Sequence, residues 1–467
     1  MNLTSRDLVS IDDISNGEMD ALFTLADEMS GSLDQYSDLC RGKIMASLFF
    51  EPSTRTRLSF EAGMLRLGGS VISSVDIGAS SLAKGESVAD MAKVVGSYAD
   101  IIVIRHPWEG AARVVADYAG IPVINAGDGS HEHPTQTLCD LYTIRKQRRT
   151  LKALKIALWG DLKRGRTIHS LIYALARFGA TILFCPGPGL EVPEHVLRRL
   201  TTEYKGELKS CRDLSQELSR GAFPVDAIYM TPSSPHQLAM LPDVSVRLEL
   251  KSDVDALYVT RLQKERQAPT ANEQDAKGRY PVVDKQFLRG KGFKKTLVMH
   301  PLPRVDELAY EVDADPRSMY FKQAAYGVPV RMALIAFLLG ARQLTIPAGT
   351  DDPVNRRDYP LYERESGVRC PNANCVSNQD TEVRYINPRF GIVSRLPLTL
   401  RCLYCEHELH PQYVASSDWH QGKIDNKRYH RADSASARRI NPQNLIVFAS
   451  EEDAQARQFK PSSYLRR

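Results

Sequence analysis

FFEPSTRTR, residues 49–57, joins an apolar run to a stretch with helical spacing at Leu58, Ala62 and Leu65. Pro52 breaks the run. Ser53, Thr54, Arg55, Thr56 and Arg57 then open the next element, so hydroxyls, guanidinium groups and free amides gather at one junction. The first turn of a helix leaves its N–H groups without intrahelical partners and carries the positive end of the dipole. Arginine adds a planar fork that matches phosphate oxygens. The junction therefore predicts a bound phosphate or similar dianion. An ordinary N-cap needs only one such hydroxyl. A run of five residues of this kind favours the anion site.

Outward from this junction, short apolar runs alternate with helical stretches as far as about residue 345. Ile44 to Phe50, Ser70 to Val75, Ile101 to Ile104 and Val123 to Asn125 read as strands, as do Lys155 to Trp159, Thr181 to Cys185, Ala227 to Met230 and Leu297 to His300. Ile168, Leu171, Ile172, Leu175 and Phe178 have the helical period, and Gly179 closes it. Such alternation predicts parallel sheets covered by helices. The expected architecture is α/β, with two doubly wound parallel-sheet domains and a small C-terminal β-rich zinc domain. The boundaries expected are 1–148, with a returning helix near 319–345, then 149–318, a linker at 346–369, a zinc domain at 370–420 and a basic polar tail at 421–467. No structure is expected for most of that tail. Two near-copies, DAIYMT (Asp226 to Thr231) and DALYVT (Asp255 to Thr260), leave two readings: one is a core strand and the other part of an insertion, or both pair in the sheet.

The 467 residues exceed one ordinary core. A net charge of +5 on 61 basic and 56 acidic residues does not suggest a nucleic-acid partner; it suits local clusters of cations for anionic substrates. The N-terminal residues show no secretory pattern and the longest apolar run, Met332 to Ala341, is too short to span a bilayer. Cys40, Cys139, Cys185 and Cys211 stand alone, whereas Cys370, Cys375, Cys402 and Cys405 form two close pairs. A reducing, cytoplasmic compartment and no membrane association are expected.

Other segments share the character of the first. Lys84 lies in SSLAKGES, a loop of small and polar residues, and alone would be a solvated charge. Arg105 follows a strand, at the edge where open α/β sheets hold ligands. His133, Pro134, Thr135 and Gln136 open a helix after another strand, and HPLPR (His300 to Arg304) follows a third. His131 and His133 form H-x-H, but no third ligand is read nearby in sequence, so no metal is expected there. GDLKRGR (Gly160 to Arg166) lacks dinucleotide-binding spacing.

Taken in order, FFEPSTRTR, RHPWEGAAR, GDGSHEHPTQT, GDLKRGRTIHSL, TRLQKER and HPLPRVDE resemble the motifs of the transcarbamylases, most closely the aspartate branch, over residues 1–345. The ornithine branch is the alternative; Pro301 and the run Arg261 to Arg266 favour aspartate. The resemblance implies that Ser53, Thr54, Arg55 and Thr56 hold the phosphate of carbamoyl phosphate. Thr56, Arg105 and His133 would bond the carbonyl oxygen and stabilise the oxyanion. Gln136 and the Leu302–Pro303 carbonyls would orient the carbamoyl NH2. Arg166, Arg261 and Gln263, assisted by Lys84, would grip the carboxylates of aspartate. Glu51 and Arg266 resemble the pair that bridges the two closed domains. No catalytic metal or other cofactor is implied. The Ser81–Lys84 loop is expected to complete a neighbour's site, making a homotrimer, or a multiple of it, the active unit.

Cys370-x4-Cys375 and Cys402-x2-Cys405 supply four thiolates for a closed, structural zinc site. Val383 and Tyr385, then Leu398 and Leu400, alternate as strands do. The cysteine motifs CPNANC and CLYCEHEL resemble the zinc domain of the aspartate carbamoyltransferase regulatory chain. The nucleotide-binding domain that precedes it in that chain is replaced here by the short linker. Two other classes remain: an RNA-binding module using Lys427, Arg428, Arg431, Arg438 and Arg439, which lacks a basic–aromatic face, and a catalytically silent scaffold, against which every polar group for the chemistry is present.

Overall fold

The structure is a computed structural model, and the residues it describes are 6–75, 84–148, 150–163, 165–221, 223–231, 250, 252–261, 282–346, 359–362, 368–379, 381–383, 385–417 and 427–462. Two parallel sheets carry the first three quarters of the chain. The first contains β1 (Ile44–Phe49), β2 (Ser70–Ser74), β3 (Ile101–His106) and β4 (Val123–Asp128), in the order β2-β1-β3-β4. Its helices are α1 (Asn16–Gly31), α2 (Thr54–Arg66), α3 (Val88–Gly96), α4 (Ala111–Ala119) and α5 (Pro134–Arg148). Every residue of β3 and β4 is buried, the pattern of strands covered on both faces.

The second sheet contains β5 (Lys155–Gly160), β6 (Thr181–Pro186), β7 (Glu207–Ser210), β8 (Ala227–Thr231), β9 (Ala256–Val259) and β10 (Leu297–Met299), in the order β10-β9-β8-β5-β6-β7. Around it lie α6 (Arg166–Arg177), α7 (Glu194–Thr202) and α8 (Leu214–Arg220). The twin sequences are neighbours: β8 and β9 pair in parallel, with Ala227 opposite Ala256 and Tyr229 opposite Tyr258. The two tyrosine rings stack with centroids 4.4 Å apart. Both copies are therefore core strands. Residues 232–249, where the insertion is expected, lie outside the described residues. In each sheet the strand order reverses, between β1 and β3 and between β5 and β8, and ligands gather beyond the strand ends at such points. Helix α9 (Tyr320–Leu338) returns to pack on α1, α2 and α5. No described helix is long and apolar enough to cross a membrane.

The C-terminal part holds two small sheets. One contains β11 (Leu361–Tyr362), β12 (Phe390–Arg395), β13 (Leu398–Cys402) and β14 (Glu408–Leu409), antiparallel in that order. The stretch expected as a linker thus contributes an edge strand. Leu398 and Leu400 are on a strand, but Val383 and Tyr385 are not: they are exposed, within turns closed by Val383 N–H to Gln379 O (3.0 Å) and Tyr385 N–H to Glu382 O (2.8 Å). An alternating pair of apolar residues does not make a strand without a ladder partner.

The larger correction concerns the tail. It carries β16 (Arg428–Arg431), β17 (Leu445–Phe448) and β18 (Lys460–Pro461), which join β15 (Tyr413–Ser416), at the end of the expected zinc domain, in the order β17-β15-β16-β18, with two short helices at Ala435–Arg438 and Glu451–Ala456. Its apolar residues are sparse in sequence, but Tyr429, Phe448, Ala454 and Phe459 converge on one small core. The neighbouring sheet holds the tail by its polar groups: Tyr362 Oη accepts from Val447 N at 2.9 Å, and Arg395 donates to the carbonyls of Ala437 and Ile440. Local hydropathy cannot show a core assembled from such distant segments.

This C-terminal part docks on the loop after β3. Glu109 N–H donates to Asn374 O (3.0 Å) and Val376 N–H to Glu109 O (2.9 Å). Gly110 has φ +86, and a Cβ there would lie 2.6 Å from Tyr404 Cβ, so only glycine permits this approach.

Candidate active site

A cavity of 460 Å³ opens where the two strand-order reversals face one another. Its walls come from α2, β3, α5, α6, the end of β9, the His300–Pro303 loop and α9. Arg55, Arg105, Arg166, Arg261 and Arg331 line it, and no aspartate or glutamate does so among the described residues. A partly water-excluded space with five guanidinium groups is built for anions.

Ser53, Thr54, Arg55 and Thr56 all line the cavity at the start of α2. Ser53 stands at the N-cap, yet its side chain caps nothing. That hydroxyl lines the cavity instead of closing the helix end. Partial enclosure, and then the facing Arg261, push the pKa of Arg55 below its ordinary value. A bound anion relieves the repulsion between those two cations. Arg57 does not join them. It turns toward Glu61, with Nε 3.8 Å from Oε1, because two residues along a helix is a rotation of about 200°.

Glu51 ties the two halves together. Its carboxylate takes Arg105 Nη2 at 2.6 Å, from β3, and Arg166 Nη1 and Nη2 at 3.0 and 2.9 Å, from α6. Arg166 also donates to Gly129 O at 2.9 Å. Gly127, with φ +115, makes room: a Cβ there would lie 3.2 Å from Arg166 Cζ and 3.3 Å from His133 Cδ2. Arg266, expected as the partner of Glu51, lies outside the described residues.

Opposite the arginines runs a buried hydrogen-bond chain that sequence reading did not find. Asp140 Oδ1 accepts from Gln136 Nε2 and from Gln323 Nε2, both at 2.8 Å, and its Oδ2 accepts from Tyr258 Oη at 3.0 Å. Burial raises its pKa to about 7, against these hydrogen bonds. With Nε2 of Gln136 held by Asp140, the end left for the cavity is the carbonyl oxygen, an acceptor. Gln323 Oε1 accepts from His300 N at 3.0 Å. Burial holds the pKa of His300 below the usual imidazole value despite Glu307. The neutral ring donates from Nε2 to Glu307 Oε1 (2.8 Å) and accepts at Nδ1 from Leu302 N (2.8 Å). The chain thus fixes the loop of Leu302 and Pro303 relative to Gln136. Only Asp140, one turn after Gln136 on α5, had a local signal; Gln323 and Glu307 are brought in by tertiary folding.

His133 lines the cavity, with its own N–H given to Ser170 Oγ at 3.0 Å. His131 faces the other way, toward the C-terminal module, so the H-x-H residues share no site. Lys84 is exposed and does not line the cavity. Arg261 lines it; Gln263 lies outside the described residues.

The four paired cysteines also meet. Cys370, Cys375, Cys402 and Cys405 are all buried, with their sulfurs within 4.8 Å of one another. The separations are 3.4 Å for Cys370–Cys405 and 3.8 Å for Cys375–Cys402. A tetrahedral ion with metal–sulfur bonds of about 2.3 Å sets sulfurs about 3.8 Å apart. The group fits a closed structural metal site.

Two parallel-sheet units facing a cavity of arginines and hydroxyls define an anion-handling α/β protein, and comparison with known proteins makes this specific. Residues 6–146 match the family model of the aspartate/ornithine carbamoyltransferase carbamoyl-P binding domain, and residues 243–338 that of the Asp/Orn binding domain. Residues 364–415 match the metal binding domain of the aspartate carbamoyltransferase regulatory chain. The aspartate carbamoyltransferase catalytic subunit of Thermoplasma acidophilum is 45% identical over 340 residues, covering 72% of this chain and 99% of the relative. That of Clostridium botulinum (strain Loch Maree / Type A3) is 45% identical over 345 residues, 73% of this chain and 100% of the relative. The solved catalytic subunit of M. jannaschii aspartate transcarbamoylase is 41% identical with a TM-score of 0.57, over 72% of this chain and 98% of that one. The Trypanosoma cruzi enzyme in complex with N-(phosphonacetyl)-L-aspartic acid is 36% identical with a TM-score of 0.57, over 71% and 95%. The chain belongs to the aspartate/ornithine carbamoyltransferase family, with the aspartate carbamoyltransferase catalytic subunits among its relatives.

Proposed function

We propose that this chain transfers the carbamoyl group of carbamoyl phosphate to the α-amine of L-aspartate, giving N-carbamoyl-L-aspartate and phosphate in pyrimidine synthesis. The observation that carries the reading is the cavity lined by five arginines and no described carboxylate. Ser53, Thr54, Arg55 and Thr56 take the phosphate. Thr56, Arg105 and His133 polarise the carbonyl and stabilise its oxyanion, while the Gln136 oxygen and the Leu302–Pro303 carbonyls accept from the carbamoyl NH2. Arg166 and Arg261, with Gln263 and a Lys84, take the carboxylates of aspartate. The amine attacks the carbonyl carbon, the bond to the phosphate oxygen breaks, and the surplus proton leaves with phosphate or to solvent. Holding the reactants in contact supplies much of the rate. The amine-bearing side chain of ornithine would need an acidic partner, and the lining supplies none.

Substrates must displace Glu51 from Arg105 and Arg166, and closure of the two sheets then re-pairs it. Residues 1–148 with the returning helix and residues 149–318 act as the two substrate domains. The catalytic chain is fused to the regulatory-type module, whose ion is zinc, given four thiolates. The module stabilises the assembly. Lys84, exposed on its own chain, serves a neighbouring subunit in a homotrimer, and the compartment is cytoplasmic.

The test is a transfer assay with carbamoyl phosphate and either aspartate or ornithine. Turnover with aspartate alone is expected. Turnover with ornithine, or with neither amine despite bound carbamoyl phosphate, would refute the assignment.

A further inference from the structure

His131 sits between the loop after β4 and the C-terminal module and takes no part in the cavity above. Its Nδ1 faces Asp128 Oδ2 at 3.0 Å. In the neutral ring with Nδ1 donating to that carboxylate, Nε2 presents its lone pair, the arrangement that orients metal-binding histidines. The side chain is 10% exposed, and Nε2 has no hydrogen-bond partner among the described residues. It faces Glu406 Oε2 at 3.6 Å, beyond hydrogen-bond length. An imidazole nitrogen of His131 and one oxygen each of Glu132 and Glu406 lie within 4.8 Å of one another. In sequence His131 had no third ligand; the fold brings one from the far end of the chain.

The buried carboxylates around this spot have few cations bonded to them. Glu132, fully buried, accepts from three neutral donors: Ser10 Oγ at 2.6 Å, Ile11 N at 3.1 Å and Ser170 Oγ at 2.9 Å. Asp128 likewise accepts from Gly110 N at 2.8 Å, Asn125 Nδ2 at 2.9 Å and Glu132 N at 3.1 Å. Glu406 bonds Arg199, which is shared with Asp12. Asp128, Glu132 and Glu406 thus share one imidazole, the guanidinium of Arg199 and, from farther off, that of Arg401, which is itself bonded to Glu203 and Glu408; incompletely compensated buried charge is costly.

We propose that a divalent transition-metal ion of the zinc type is held here by His131 Nε2, Glu132 and Glu406, with Asp128 as the outer partner of the histidine. One imidazole and two carboxylates suit such an ion. Metal–ligand bonds of about 2.0–2.1 Å put neighbouring donors of a tetrahedral site about 3.4 Å apart, close to the 3.6 Å between His131 and Glu406. The site is separate from the four thiolates, since it uses none of them. It joins the module's Glu406 to the segment two residues before His133, so the docking of the module on this loop is metal-linked.

The test counts metal on the full-length protein with its thiolate site filled, after equilibration with buffered free Zn²⁺. Two ions per chain are expected. His131→Asn should lose the second, and Glu406→Gln should weaken it at least about tenfold. Replacement by Co²⁺ separates the sites: the thiolate band must persist in both variants, which also shows that the module is folded. If His131→Asn loses that band, Glu406→Gln decides. One ion per chain in the unmodified protein would mean that a proton holds His131 and Glu406 together, and would overturn the proposal. So would a second ion that the decisive variant leaves at full affinity.

Discussion

The start of α2 and the four-cysteine module show two ways of placing polar groups. Around Ser53 to Thr56 the sequence concentrates hydroxyls and a guanidinium in one short run that lines the cavity, beside a large parallel-sheet core. The module scatters its ligands over Cys370 to Cys405 and has little core of its own. It gains order from a metal, from the loop at Glu109 and Gly110, and from the sheet at 413–461. Where a core is large, polar groups can be spared for ligands; where it is small, they are used to hold the fold.

Metal removal is the strongest way to break the comparison. Structural zinc contributes about 10 kcal/mol or more to small domains of this kind. Chelation, or Cys402→Ser, should abolish protection of the β12–β13 ladder in hydrogen exchange while leaving β3 and β4 protected. Equal loss in both regions would show that the sheets depend on the module. Next in size is Arg105→Ala. Loss of one oxyanion partner costs about 3–4 kcal/mol, a drop of about 10²–10³ in kcat, and metal content should not change. A kcat within threefold of the parent would remove Arg105 from the reaction.

Asp140 gives a smaller, pH-dependent effect. Its folded pKa is raised to about 7, against about 3.9 in an unfolded chain. The folded state therefore binds this proton more tightly. The group's stabilisation is full below about pH 4 and is lost as pH rises to about 7, by up to about 1.4 kcal/mol per pH unit. Asp140→Asn should flatten that part of the stability profile, measured by denaturant midpoint. An unchanged slope would mean that Asp140 is ionised throughout. Smallest is Tyr362→Phe, which strands the Val447 N–H and should cost about 1–3 kcal/mol, seen as faster exchange in β17 alone.

The same contrast governs what could be read in advance. The α/β alternation and the apolar β1, β3 and β5 were legible because buried parallel strands are continuous apolar runs. The cavity residues were legible because strand–helix junctions expose short polar motifs. Asp140, Gln323 and Glu307 were not, since their hydrogen bonds link residues distant in sequence. The tail failed for a related reason: Tyr429, Phe448 and Phe459 have no periodicity and become a core only when distant segments bring them together with Ala415 and Ala454. Arg57 shows the limit of reading a motif as a unit, since the helix sends it away from Arg55.

The most direct measurement is calorimetric titration of the full-length protein with N-(phosphonacetyl)-L-aspartic acid, which carries a phosphonate and the aspartate carboxylates in one molecule. The account predicts one molecule per chain, with affinity falling at least about tenfold in Arg55→Ala and in Arg166→Ala, since each removes a charged partner. No binding, or binding that neither substitution weakens, would contradict the assignment of this cavity to the two anionic substrates.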